Sequence, residues 1–217
     1  MTALPMFPLG SVLLPGEPLP LHVFEPRYRA LVRHLLDEAA AGRPPEFGVV
    51  LIERGSEVGG ADQRSPVGTV ARVLEVGELP DGRYVLATVG VRRIRVVEWL
   101  PDDPYPVADV DDWPDADAAP GMAEHPSGVS SEALASVHAR VRRAAALAVE
   151  LGDDAALASG SLDDDPSFAS FQLVAMAPIS SLDRQHLLAA ATAAGRLEAL
   201  SAALHDLEQV QQFRLAP

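Results

Sequence analysis

Residues 6–36 read MFPLGSVLLPGEPLPLHVFEPRYRALVRHLL, an apolar run broken by proline at positions 8, 15, 18, 20 and 26. Proline has no N–H to give to a sheet ladder, so in sheets it is confined to strand ends, edges and bulges. Two short strands within 4–24, joined by a turn at Leu14-Pro15-Gly16, therefore suit a curved ribbon at a barrel rim better than the centre of a sheet. Pro26 has another meaning. At the first helical position its missing N–H leaves nothing unpaired. From there Tyr28, Leu31, Val32, Leu35, Leu36 and Ala39 recur as one apolar helical stripe, and Gly42 with Pro44-Pro45 ends the helix near Ala41.

Strands dominate residues 46–110. The stretch 46–53, EFGVVLIE, is continuously apolar inside its two acids, as a strand buried on both faces would be. PVGTVARVLEVGEL (66–79) is strand-like too, and Asp81-Gly82 marks a tight hairpin. GRYVLATVGVRRIRVVEWL (82–100) is long enough to bend, with Gly90 as the expected kink or bulge. YPVADV (105–110) supplies a closing strand. Residues 1–110 thus predict a small, bent β-barrel or pseudobarrel of five or six strands with one embedded helix.

Between Pro101 and Pro126 stand eight acids and no arginine, among Pro, Gly and Ala. Residues 111–129 are accordingly expected to form an acidic Pro/Gly loop or linker, partly disordered. Beyond it the chain reads as helical. Leu134, Val137, Val141, Ala144, Ala148 and Leu151 step by threes and fours, and Asp165-Pro166 opens a helix that runs to about Ala177. Ser181 and Thr192 are the expected N-caps of two more helices, the last striped by Leu197, Leu200, Leu204 and Leu207. The fold class expected is α+β, a barrel followed by a helical bundle over 130–217.

Composition narrows the chemistry. The net charge is −14, from 31 acids against 17 basic residues. Such a field repels phosphate backbones and anionic membrane surfaces, so neither nucleic acid nor membrane is an expected partner. All the basic residues are arginine. Without lysine there is no Walker A loop, no Ser-Lys dyad and no Schiff base. Without cysteine there are no disulfides, thiolate metal sites or thiol nucleophiles. No run approaches the roughly 18 to 20 apolar residues of a membrane span, and no signal-peptide pattern opens the chain, so a cytoplasmic location is expected.

LPMFPLGSVLLPGEPLPLHVFEPRYRALV, followed by FGVVLIERG, GTVARV and DGRYVLATVGVRRIRVVE, resembles the amino-terminal, substrate-binding domain of Lon proteases. DRQHLLAAATAAGRLEALSAAL is similar to the helical half of that region. The resemblance implies a PUA-like β-barrel and a helical bundle that engage unfolded or partly folded polypeptides, with the full-length Lon protease as a further partner. It also implies a stand-alone relative without ATPase or peptidase domains, a non-catalytic adaptor or chaperone-like protein. The alternative is an enzyme or small-ligand receptor with a pocket between barrel and bundle.

Candidate sites are few. None of the six histidines falls in a metal-ligand spacing, so neither metal nor cofactor is expected. GSEVGG (55–60) reads as a hairpin loop, and DADAAPG (115–121) fails as a calcium loop because Ala119 and Pro120 stand where a ligand and a glycine are needed. No serine lies in a nucleophile elbow. The best partner-binding surface is the helix start, where Glu25, Arg27, Tyr28, Arg29 and Arg33 combine planar donors with an aromatic body. Arg92, Arg93 and Arg95 form a second basic cluster. Arg93 and Arg95 share a strand face, and with Arg72 the cluster either pairs with Glu75 and Glu98, the reading favoured, or holds an anionic segment of a partner.

Overall fold

The computed structural model describes residues 2–54, 63–116, 128–153, 155 and 158–215. The chain divides into two compact units, Met1–Trp113 and Pro114–Pro217.

The first unit contains β1 (Thr2–Leu9), β2 (Pro18–Val23), α1 (Pro26–Ala40), β3 (Glu46–Arg54), β4 (Gln63–Glu78), β5 (Tyr84–Leu100) and β6 (Val107–Asp112). The sheet order is β2-β5-β4-β3-β1-β6, and β5 also pairs with β6, so five strands close a ring and β2 hangs on its outside. Strand β5 makes this possible by serving two partners. Its residues 84–89 pair with β2 and 94–100 with β6. Between them the register slips, with Ala71 opposite Gly90 but Val70 opposite Arg92. Gly90 is the expected bend, and it must be glycine, since a Cβ there would collide with the carbonyl oxygen of Leu14 on the crossing loop.

The period-two alternation of the strands builds two cores. Leu4, Met6, Val50, Val70, Ile94, Ala108 and Val110 fill the ring. Phe7, Phe47, Val49 and Ala71, of opposite parity, face outward and are covered by Tyr28, Leu31, Val32 and Leu35 of α1. Burial on both faces is why 46–53 is continuously apolar. Helix α1 lies in the crossover between the parallel strands β1 and β3.

The prolines of β2 are explained by its hydrogen-bonding phase. Gly90 N–H donates to Glu17 C=O (2.9 Å), so Glu17 and every second residue after it turn their backbone toward β5. Pro18, Pro20 and His22 turn theirs toward the other edge, where no strand pairs among the described residues. Two of those three positions have no N–H to offer, which blunts the edge against strand addition.

The second unit contains α2 (Ser131–Glu150), α3 (Pro166–Met176), α4 (Ser181–Leu188) and α5 (Ala193–Leu215). Asp165 and Thr192 cap α3 and α5 as expected, but α4 is capped by Ser180, whose Oγ accepts from Asp183 N–H at 3.1 Å. Ser181 is instead its first helical residue. Helices α2 and α5 run side by side in the same direction, cross-linked by Arg140–Glu208, Gln211 Nε2 to Ala144 O, and Arg214–Asp153.

The acidic stretch is where the structure departs most from the expectation. Strand β6 extends through Asp112, and Asp115 is buried in the second unit. Its carboxylate accepts from Arg196 Nη2 at 2.5 Å and from Ser167 Oγ at 2.5 Å, with the two charged side chains 0% and 1% exposed. Arg196 also donates to Ser170 Oγ and lies 3.5 Å over the Phe171 ring. Residues 113–116 form a loop, one of the two forms expected, and it is anchored at Asp115 because a buried guanidinium requires its carboxylate. Residues 117–127 lie outside the described residues.

Candidate functional site

The start of α1 is held by a three-layer stack. The Tyr28 ring lies parallel to Phe7 with centroids 3.9 Å apart, and the Arg27 guanidinium sits 4.6 Å from the Tyr28 centroid. Arg27 Nε also donates to Glu25 at 3.0 Å. Tyr28 is only 4% exposed, so its ring belongs to the core and not to a binding surface, which corrects the expectation for this residue. Glu25 and Arg27 are engaged with each other as a clamp on the helix start.

Arg29 and Arg33 differ. Neither side chain has an ion pair or a hydrogen bond among the described residues. Arg29 is packed on the β4–β5 hairpin, where a Cβ at Gly82 would collide with its Nη2, and its Nε is buried without an acceptor. Gly82 also has φ 76°, a left-handed conformation that suits the tight turn. Arg33 and Leu36, spaced four and seven residues after Arg29, lie along the same flank of α1, and both are exposed.

Phe24 is the residue between the end of β2, where Val23 pairs with Tyr84, and Glu25, the N-cap of α1. Phe24 is 58% exposed, a large apolar group on solvent. Its exposure was not legible in the sequence, because an aromatic in an apolar run gives no sign of it.

The second arginine cluster is structural pairing with other partners than expected. Arg92 donates to Glu46 (2.6 Å) and Asp112 (2.8 Å), and Arg72 to Glu46 (2.7 Å). Register slips between Val73 and Glu75 on β4 and between Val96 and Glu98 on β5 change the parity of the strands there, and no bond from Glu75 or Glu98 to the cluster occurs among the described residues. Burial works against the Arg92 charge, but its hydrogen bonds to the two carboxylates outweigh that and hold it above the ordinary guanidinium value. Arg93 is buried, with Nε donating to Trp113 O at 3.1 Å. Its guanidinium and that of Arg95 face the Trp113 ring at 4.8 and 5.9 Å, so the two do share a face.

Beside Arg92 an open recess of about 230 Å³ is lined by Thr2, Leu4, Val110, Asp111 and Asp112. No group of three potential metal ligands occurs among the described residues. GSEVGG, and DADAAPG from Asp117 onward, lie outside them. No helix among them is long and apolar enough to cross a membrane.

The architecture is thus an α+β module, a six-strand barrel sheet followed by a helical bundle. Residues 3–206 match the ATP-dependent protease La (LON) substrate-binding domain family, and the chain belongs to that family. It is 30% identical over 205 residues to Lon protease 2 of Herpetosiphon aurantiacus, covering 93% of this chain and 23% of that protein. It is 32% identical over 134 residues to Lon protease 2 of Myxococcus xanthus, covering 61% of this chain and 16% of that protein. The chain therefore spans less than a quarter of the length of these relatives. Among solved structures it is similar to a Lon N-terminal domain protein from Xanthomonas campestris, with 30% identity, TM-score 0.65, and 93% and 98% of the two chains covered. The N-terminal domain of the Mycobacterium avium complex Lon protease shares the fold at 17% identity, with TM-score 0.60 and 94% and 99% covered.

Proposed function

We propose that this chain is a non-catalytic module that binds unfolded or partly folded polypeptides and serves proteolysis as an adaptor or chaperone-like protein in the cytoplasm. The observation that carries this reading is the match to a substrate-binding domain over residues 3–206. The sequence adds support, since it has no lysine for a Ser-Lys dyad or a phosphate loop. A full-length Lon protease is the partner to which such a module would deliver its client.

The test uses purified chain and one client in two states, reduced carboxymethylated α-lactalbumin and the native protein. Binding to the unfolded state with none to the native state is the expected result. Equal binding to both, or to neither, overturns the reading. Adding a full-length Lon protease then asks about delivery: the adaptor role requires that the chain change the rate at which the unfolded client is degraded.

A further inference from the structure

We propose that the flank of α1 bearing Arg29, Arg33 and Leu36, together with Phe24, docks extended polypeptide segments in which a large apolar residue stands beside acidic ones. This rests on the polypeptide-binding reading and specifies the chemistry of the segment.

The first argument is charge complementarity. Acids outnumber arginines 31 to 17 in this chain, and carboxylates are within reach of many of its guanidinium groups. Arg27, Arg43 and Arg72 each bond one, and Arg92 bonds two. Arg29 and Arg33 bond none among the described residues. These two cations, one helical turn apart, leave a window of guanidinium donors with no bonded carboxylate among the described residues, with Asp37 one turn beyond Arg33. Salt at about 0.1 M screens charges beyond roughly 10 Å, so a short acidic segment in contact with the pair is attracted while the distant acids are damped. A long polyanion would extend past the window into the repulsive field, which disfavours nucleic acid and anionic lipid surfaces.

The second argument is preorganisation. Arg29 is already pinned by its packing on Gly82, so less conformational freedom is lost when it meets a carboxylate. Leu36 on the flank and Phe24, directly before the Glu25 N-cap, supply the apolar contact, and both are exposed. The blunted edge of β2 at Pro18 and Pro20 removes strand addition there as a way of binding. Recognition on this flank is then by side chains, which tolerates many sequences that share one charge-and-apolar pattern.

The experiment measures fluorescence anisotropy with two labelled peptides, one of alternating Asp and Phe and its Asn and Phe counterpart, against the full chain. The acidic peptide is expected to bind about tenfold more tightly, a difference of about 1.4 kcal/mol. Arg33→Glu is expected to abolish that preference, and Arg29→Gln to reduce it. Arg33 is exposed, so its variant keeps the test open should Arg29→Gln fail to fold. Equal affinities in the unaltered chain, or a preference that survives Arg33→Glu, overturns the inference. So does displacement of the acidic peptide by phosphatidylserine vesicles or single-stranded RNA at equal charge concentration. If unfolded α-lactalbumin binds but the acidic preference is absent, this inference alone falls; if no unfolded polypeptide binds, the polypeptide-binding reading falls first.

Discussion

Arg196 in the helical unit and the Arg29–Arg33 pair on α1 are the same residue type put to opposite uses. Arg196 is fully buried, and its guanidinium is matched by a carboxylate, a hydroxyl and an aromatic face. Arg29 and Arg33 have no carboxylate or hydroxyl at all among the described residues. Burial makes a partner obligatory, because desolvating an unpaired guanidinium costs several kcal/mol. Exposure makes a partner optional for Arg33, since water already solvates its charge, while half-buried Arg29 keeps its Nε without an acceptor. Residues that the fold does not require are the ones left over for binding, which is why the proposed binding surface takes in the unmatched pair and not the buried one.

The largest effect should come from breaking the matched side of the comparison. Asp115→Ala strands the Arg196 charge in the bundle and should cost about 3–5 kcal/mol in urea denaturation. Replacing both partners, Asp115→Leu with Arg196→Met, should recover most of that loss, because an apolar pair has no charge to desolvate. A small cost for Asp115→Ala would mean that the loop is held by something other than the ion pair.

An intermediate case sharpens the gradient. Glu46 bridges Arg72 and Arg92 with its side chain 11% exposed, while both arginines are half-buried. Glu46→Ala should therefore cost about 1.5–3 kcal/mol, the range for hydrogen bonds to charged groups, and less than Asp115→Ala. Thermal denaturation of the two variants side by side gives the order. If Glu46→Ala were the costlier change, burial would not be what sets the need for a partner.

Much of this fold could be read from residue order, and the reasons for the exceptions are physical. Pro26, the stripe through Leu31 and Leu35, the bend at Gly90 and the caps at Asp165 and Thr192 are local signals, each with one structural meaning. The pairing of Arg92 was not legible, because a register slip of one residue exchanges the faces of a strand and no local signal sets its position. Asp115 was hidden by its neighbours, since an acid among Pro, Ala and Asp looks solvated and only the fold brings Arg196 to it. Of the candidate surface, the arginines of α1 stood out by type. Separating Arg29 and Arg33 from Arg27, and core Tyr28 from exposed Phe24, required knowing which side chains were already engaged.

The unmatched side of the comparison should be nearly silent in stability. Arg33→Glu removes no ion pair and lies on solvent, so it should change the unfolding free energy by no more than about 0.5 kcal/mol. That same substitution is expected to remove the acidic-peptide preference, and the pairing of a large binding effect with a negligible stability effect is what a dedicated surface requires. A loss of stability comparable to that of Glu46→Ala would show that Arg33 serves the fold.

The smallest effect concerns a pair that is matched but exposed. Arg214 holds Asp153 through two hydrogen bonds, Nη1 to Oδ2 at 2.7 Å and Nη2 to Oδ1 at 3.0 Å, and these bonds lower the Asp153 pKa below the ordinary carboxylate value. A carboxylate whose folded pKa is depressed adds stability above its unfolded pKa and loses it as pH falls through the folded one. Arg214→Gln should therefore raise the Asp153 pKa toward the ordinary value, as tracked by NMR titration of its carboxyl carbon. The unaltered chain should lose stability slightly more steeply than the variant in the acid range below that value, and the two should differ little at neutral pH, because water screens this pair as it does not screen Asp115 and Arg196. An unchanged Asp153 titration in Arg214→Gln would show that the pair does not persist in solution, leaving burial alone to separate arginines that hold the fold from those free to bind.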